Sequence, residues 1–257
     1  MTTVAPAQHR YVTQVMGTAV TGALRGRHTD DDAAGRAWAE CLHLLREADR
    51  VFSTYRDDSC VSRLGRGEID LDACPPEVAE VLALGERARV ESGGAFDVRR
   101  PGPDGTLVLD PSGVVKGWAV QRAAAPLLGL PDTDVCLSAG GDLVAYVAAP
   151  EREPWGIGIE DPHDPSRTLA VVPVRRGAVA TSGHAHRGRH VVDARTGQPP
   201  DDLASVTVVA ADLVTADVDA TAAYAMGRAG LTWLRDRGRT GVVVWADGTA
   251  EVYGSPA

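Results

Sequence analysis

The sequence predicts an α+β protein with a mixed, mostly antiparallel sheet and flanking helices. Three observations predict it. Segments with a helical apolar period, such as Ala34, Trp38, Leu42, Leu45 and Ala48, are interspersed with short β-branched runs such as SVTVVA and GVVVWAD. The two kinds do not alternate regularly, as a doubly wound parallel sheet would require. No repeat, low-complexity tract or long linker divides the 257 residues, a length that suits one large or two small domains.

The elements follow in order. VTQVMGTAVTGAL reads as a strand. Asp30 to Asp32 supply a capping cluster for a helix through about Val51, and a second helix opens at Pro76 and stops at Gly93-Gly94. Arg99 to Gly105 is the best loop candidate. A third helix is expected from near Lys116 to Leu128, with Lys116 at its N-terminus. Strands are expected at TLVLD, DVCLSAGGD, LAVVPV, SVTVVA and GVVVWAD, and helices from Asp217 to Gly227 and from Leu231 to Arg237. His190 is expected to begin a further strand and turn.

Composition narrows the function classes. Of the 26 basic residues, 25 are Arg and one is Lys116; Asn is absent, and Phe occurs only at Phe52 and Phe96. Such a bias against A/T-rich codons fits a GC-rich genome and makes the exceptions worth following. The net charge of −9, with acidic and basic residues interspersed, leaves no basic stripe for nucleic acid. No apolar run approaches the ~18 residues of a spanning helix. MTTVAPAQHRYVTQVMG lacks a charged segment followed by an apolar one, and Cys41 is too deep for a lipid-anchored N-terminus, so a cytoplasmic protein is expected, with no membrane partner. Cys41, Cys60, Cys74 and Cys136 contain no C-x-x-C pair, which argues against zinc; four reduced thiols, three or four of them buried, are expected.

A P-loop, a G-x-S-x-G elbow and a full G-x-G-x-x-G are all missing; GIGIED has only the first two glycines. What remains is a series of short segments, many glycine-rich, that carry polar groups. In SGGAFD two glycines allow close backbone approach to a ligand and Asp97 can accept a hydrogen bond from it; the alternative is a helix cap followed by a turn. In FSTYRDDS, Tyr55 offers a platform for a flat ring, or is a half-buried structural tyrosine. In DPSGVVKGW, Asp110 precedes a tight turn at Ser112-Gly113, and Lys116 would add a point charge for an anionic ligand; the plainer reading is a surface lysine. In ADVDAT, Asp217 and Thr221 lie four residues apart on one helix face. With a backbone carbonyl they would form a hard-oxygen set suited to Mg²⁺; a capping Asp and an interior Thr are equally compatible. TSGHAHRGRH carries His184, His186 and His190, readable as a transition-metal cluster, as a general base at His190, or as a polar loop, which is the preferred reading for His184 and His186.

Taken together and in order, these segments resemble the ApbE family, the FAD:protein FMN transferases. The resemblance runs from Met16-Gly17-Thr18 to Gly227 through VMGT, FSTYRDDS, SGGAFD, DPSGVVKG, AGGD, ATSG, HVVDARTG and DVDAT. It implies one flavin-transferase domain over residues 1–257, or two intertwined subdomains. It implies FAD as substrate, contacted by Met16, Tyr55, Ala95, Phe96, Asp97, Asp110 and Lys116. Mg²⁺ would be held by the carbonyl of Gly113 and by Asp217 and Thr221. A Ser or Thr hydroxyl of an acceptor protein would attack the FMN phosphorus and release AMP, with His190 as base and Lys116 neutralising charge. The chain departs from the family at His184-Ala185-His186, where Tyr and Glu are usual, at Ala194 for proline and at Val115 for alanine. An FAD pyrophosphatase, a non-catalytic FAD-binding protein and a zinc or iron enzyme are the competing readings.

Overall fold

A computed structural model describes residues 8–101, 105–185, 188 and 190–254. Its centre is an eight-stranded sheet whose neighbouring strands all run antiparallel. In chain order its strands are β1 (Gln8–Val15), β2 (Thr18–Gly26), β5 (Thr133–Ala139), β6 (Asp142–Tyr146), β9 (Arg176–Gly183), β10 (Leu203–Ala210), β11 (Thr240–Trp245) and β12 (Ala250–Tyr253), which is also their order across the sheet. Two small ribbons stand apart from it: β3 (Arg99–Pro101) with β4 (Leu107–Leu109), and β7 (Trp155–Asp161) with β8 (Asp164–Val174). The α+β, mostly antiparallel expectation holds.

The single strand expected at residues 12–24 is a hairpin. Met16 and Gly17 both have positive φ, 54° and 68°, the backbone of a two-residue turn whose twist matches its strands. A non-glycine residue at the first of these positions carries no sequence signal for the turn, which is why the break was hidden.

One face of the sheet is covered by helices. These are α1 (Asp32–Phe52), α2 (Cys60–Gly65), α3 (Pro76–Glu91), α4 (Ser112–Ala123), α5 (Ala125–Leu128), α6 (Leu213–Ala225) and α7 (Arg228–Asp236). Asp31 caps α1 by accepting the Ala34 N–H at 2.9 Å, a contact worth about 1 kcal/mol. From α1, Trp38, Leu45 and Phe52 enter the core, where Phe52 meets Trp118 of α4 edge-on at 5.2 Å. Helix α3 closes on Gly93 and Gly94, both with positive φ, and the Gly94 N–H returns to the Arg89 carbonyl at 2.8 Å. Helix α6 lies between α4 and strands β9 and β10, and its run of alanines lets the backbones approach closely.

The β7–β8 ribbon covers the other face. Trp155, Ile157, Ile159 and Val174 pack there against Ala23, Leu143, Ala145 and Val179. A bulge between Leu203 and Ser205 shifts the register of β10, so Leu203, Val206 and Val208 face the helices while Ala204 joins Val242 and Val244 in a separate cluster.

Other expectations need correction. The helix expected from Lys116 starts one turn earlier, at Ser112, and Lys116 therefore lies inside it. The helix expected at Asp217 starts at Leu213 under an Asp212 cap, so Asp217 is mid-helix. No strand forms at His190; Asp193 and Gln198 make only an isolated bridge. Cys60 and Cys74 form a disulfide with Cα atoms 6.2 Å apart, so two thiols, Cys41 and Cys136, are free rather than four, and of the four cysteines Cys41 is buried while the others are half-buried. Burial pushes those two thiols up, to about 12 and about 11. Among the described residues no helix is long and apolar enough to cross a membrane. The loop expected at Arg99 to Gly105 opens as a strand, β3, paired with β4; its residues 102–104, and His186, lie outside the described residues.

Candidate functional site

Four of the residues singled out in the sequence meet where α4, α6 and the ends of β6 and β9 converge. Lys116 Nζ pairs with Asp142 Oδ2 and lies 3.4 Å from Asp217 Oδ1. The Gly117 N–H donates to Asp217 Oδ2 at 2.9 Å. In an ideal α-helix that N–H would serve the carbonyl of Gly113. One turn along α6, Thr221 Oγ1 lies 3.0 Å from Ser182 Oγ, at the end of β9. Gly113 faces the same place, since a Cβ there would lie 3.0 Å from the Phe96 ring and 3.9 Å from Thr221 Cγ2.

Close packing is what brings these groups together. Gly117 has no side chain because a Cβ would fall 2.8 Å from the Leu213 carbonyl and 2.9 Å from Asp217 Cβ. The G-x-x-x-G spacing of Gly113 and Gly117 thus allows α4 to lie directly on α6. The resulting burial is severe: Asp142 is 0% and Asp217 2% exposed. Burial pushes the Asp217 carboxyl up to about 7; the Lys116 ammonium opposes this and the charge of Asp142 adds to it. Two buried carboxylates thus share one ammonium. Such a site carries spare negative charge and oxygen donors for a hard cation.

Around the cluster, the glycine turns are locked to one another. The Ser92 hydroxyl accepts the Phe96 N–H at 3.0 Å, and the Ala194 N–H donates to the Ala95 carbonyl at 3.0 Å. Arg195, bound to Asp193 through its backbone and guanidinium, lies over Gly94. The side chains of Ala95 and Phe96 are buried, so this turn presents backbone rather than side chains. Asp97 accepts the Arg99 N–H at 2.8 Å. Asp110 accepts from the Ser112 hydroxyl at 2.6 Å and from Arg100 Nε at 2.9 Å; burial alone would raise its carboxyl, but these bonds hold it below the usual range.

The remaining predicted residues are more peripheral. Met16 sits in the β1–β2 turn, partly buried against the core. Tyr55 is 97% exposed on the segment between α1 and α2. His190 is exposed, with Nδ1 3.0 Å from the Gly188 carbonyl; a carbonyl only accepts, so Nδ1–H is the donor of this pair. His184 Nδ1 lies 3.3 Å from Tyr224 Oη, and its ring stands 6.5 Å from that of His163 at the tip of the β7–β8 ribbon. Among the described residues no group of three or more His, Cys, Asp or Glu is placed to hold a metal ion, and the transition-metal reading gains nothing from them.

Sequence reasoning missed Asp142 and Ser182. Both stood in quoted segments, SAGGD and ATSG, but neither has a spacing relation to α6 that could be read along the chain.

The class is that of α+β proteins with a helix-covered antiparallel sheet, here with a lysine held between buried carboxylates beside glycine turns. The family follows from comparison. The ApbE family model matches residues 16–101 and 100–244, and the chain belongs to the ApbE family. A FAD:protein FMN transferase of Haemophilus influenzae is 26% identical over 265 residues, covering 77% of this chain and 76% of its own length. Another, from Rhodobacter capsulatus, is 31% identical over 204 residues, covering 76% of this chain and 35% of its own. The fold matches the crystal structure of Pseudomonas stutzeri flavinyl transferase ApbE in its apo form, with a TM-score of 0.81 at 24% identity over 98% of this chain and 96% of that one. It also matches the flavin transferase ApbE of Vibrio cholerae, with a TM-score of 0.79 at 24% identity over 98% of both chains.

Proposed function

We propose that this chain, acting as one catalytic domain, transfers the FMN moiety of FAD to a Ser or Thr hydroxyl of an acceptor protein and releases AMP. The observation that carries this reading is the buried Lys116–Asp142–Asp217 cluster, with Thr221 beside it, in a chain of the ApbE family. The relatives named FAD:protein FMN transferase give it the substrate and the reaction class.

The residues fit Mg²⁺. Asp217, Thr221 and the Gly113 carbonyl are hard-oxygen donors, and the Gly117 N–H that could serve that carbonyl is engaged by Asp217. When bound there, Mg²⁺ supplies positive charge to a pyrophosphate. The chain's own groups do the rest. Lys116 adds a second positive charge beside the departing phosphate. His190, whose Nδ1–H donates to the Gly188 carbonyl and so turns Nε2 away from that contact, takes the acceptor hydroxyl proton on Nε2 as the oxygen bonds to the FMN phosphorus and AMP leaves. Met16, the Tyr55 ring, the backbone of Ala95 and Phe96, and the carboxylates of Asp97 and Asp110 would position the flavin and adenine.

Incubation with FAD, Mg²⁺ and an acceptor domain carrying a D-x-x-[S/T]-G-A-[S/T] segment should add FMN mass to the acceptor and release AMP in equal amount. Free FMN and AMP without an acceptor would instead make the chain a pyrophosphatase. Tight binding of FAD that stays intact would make it a binding protein.

A further inference from the structure

Asp142 opens β6 immediately after Gly140-Gly141, both with positive φ, and its side chain is wholly buried. Its Oδ1 accepts the Thr181 N–H at 2.9 Å, and its Oδ2 pairs with Lys116 Nζ. The same Nζ is more distant, 3.4 Å, from Asp217 Oδ1. The ammonium therefore leans towards Asp142 although two buried carboxylates compete for it.

We infer that Asp142 is a positioning residue: it draws the Lys116 ammonium off Asp217 and so leaves the Asp217 carboxylate free to take a hard divalent cation. This rests on the reading of Asp217 as a cation ligand given above. The argument is one of charge. With both carboxylates ionised, the state a hard cation binds, Asp142, Asp217 and Lys116 together carry one negative charge, which favours a cation. If Asp142 is neutral, the sum is zero and the ammonium moves onto Asp217. Ion pair and cation then compete for the same oxygen.

A purely structural role is separable from this one. Asn at 142 can still accept the Thr181 N–H but cannot hold the ammonium. Neutralising Lys116 as well restores the sum to one negative charge and removes the competitor. Mg²⁺ is titrated calorimetrically into the full chain as wild type, Asp142→Asn, and Asp142→Asn with Lys116→Met. At an effective dielectric of about 20, loss of one charge this close should weaken Mg²⁺ by about 10-fold or more in the single variant. The double variant should return to within about 3-fold of wild type on the same electrostatic account. If Asp142→Asn does not fold, Asp142→Ser carries the same expectation, because its hydroxyl can accept from Thr181.

A single variant with wild-type Mg²⁺ affinity, or a double variant no better than the single, overturns the inference. Wild type that takes up no Mg²⁺ overturns the cation reading itself. In that case FAD titrated in EDTA decides on Asp142: FAD is an anion, so the single variant, with its ammonium released from Asp142, should bind it more tightly, and the double variant, which lacks that ammonium, should lose the gain and fall below wild type. Unchanged FAD affinity would then overturn the inference too.

Discussion

Ser182 Oγ and Thr221 Oγ1 lie 3.0 Å apart, so a pair of hydroxyls ties the end of β9 to α6. Ser182 is 7% exposed, and the ATSG segment thus supports Thr221 from behind. Ser182→Ala should cost about 1 kcal/mol of stability, the net worth of one hydrogen bond, and leave the Thr221 hydroxyl free to rotate. Urea unfolding checks the first effect. The second should appear as a weaker Mg²⁺ affinity, and Thr221→Val should weaken it further.

Gly117→Ala tests the approach of α4 to α6. The added methyl would sit 2.8 Å from the Leu213 carbonyl and 2.9 Å from Asp217 Cβ, both fixed groups. Overpacking of this kind costs about 1–3 kcal/mol. Denaturant midpoints should fall accordingly, and binding of FAD should fall more than stability alone explains, because Asp217 is displaced. Gly35→Ala, where a Cβ meets nothing, is the control.

Asp110 predicts an acid-sensitive element. Its carboxyl is held low in the folded chain: burial opposes this, but Ser112 and Arg100 outweigh it. A depressed folded pKa contributes stability above the unfolded value of about 3.9 and loses it as pH falls through the folded value. Asp110→Asn should therefore lower stability at pH 7, and the loss should shrink steadily as pH falls below the unfolded carboxylate's value of about 3.9. Equal losses at both ends of the range would remove the carboxylate from the explanation.

The Cys60–Cys74 disulfide closes a loop of sequence separation 14 just after the segment that carries Tyr55. A loop of this length is worth about 3 kcal/mol in the chain-entropy account. Thiol titration of the denatured, unreduced protein should find two thiols, and the Cys60→Ser, Cys74→Ser variant should unfold earlier. Such bonds persist in oxidising compartments. Four thiols in protein isolated from its host would restore the expectation of a reduced cytoplasmic chain.

Much of this could be read along the chain. Helices α1 and α3 were legible because their caps and apolar period agree, and Asp217 with Thr221 because a helix relates i and i+4. Local rules failed where the determinant is distant. The starts of α4 and α6 were masked because Lys116 and Asp217 look like terminal charges, and only packing shows them one turn inside. Ribbon β7–β8 was half missed: its VVPV part read as a strand, while WGIGIED looked like an incomplete nucleotide fingerprint. Phe52 and Phe96 drew notice through rarity, yet Phe52 fills the core against Trp118. Asp142 stayed hidden because its partners lie far along the chain, at Lys116 and Thr181.

The β7–β8 ribbon has one more consequence. Strands β6 and β9 are direct neighbours in the sheet, and the ribbon is the detour the chain makes between them. Asp142 and Ser182, which flank that detour, lie just past the β6–β9 ladder and are held by the Thr181 N–H bond to Asp142 and by the pairing of Ser182 with Val206 of β10 rather than by the connecting chain. The ribbon is thus free to lengthen, shorten or change its tip, where His163 meets His184, without moving the residues beneath α6. An appendage of this kind can change at the rim while the floor beneath it stays fixed.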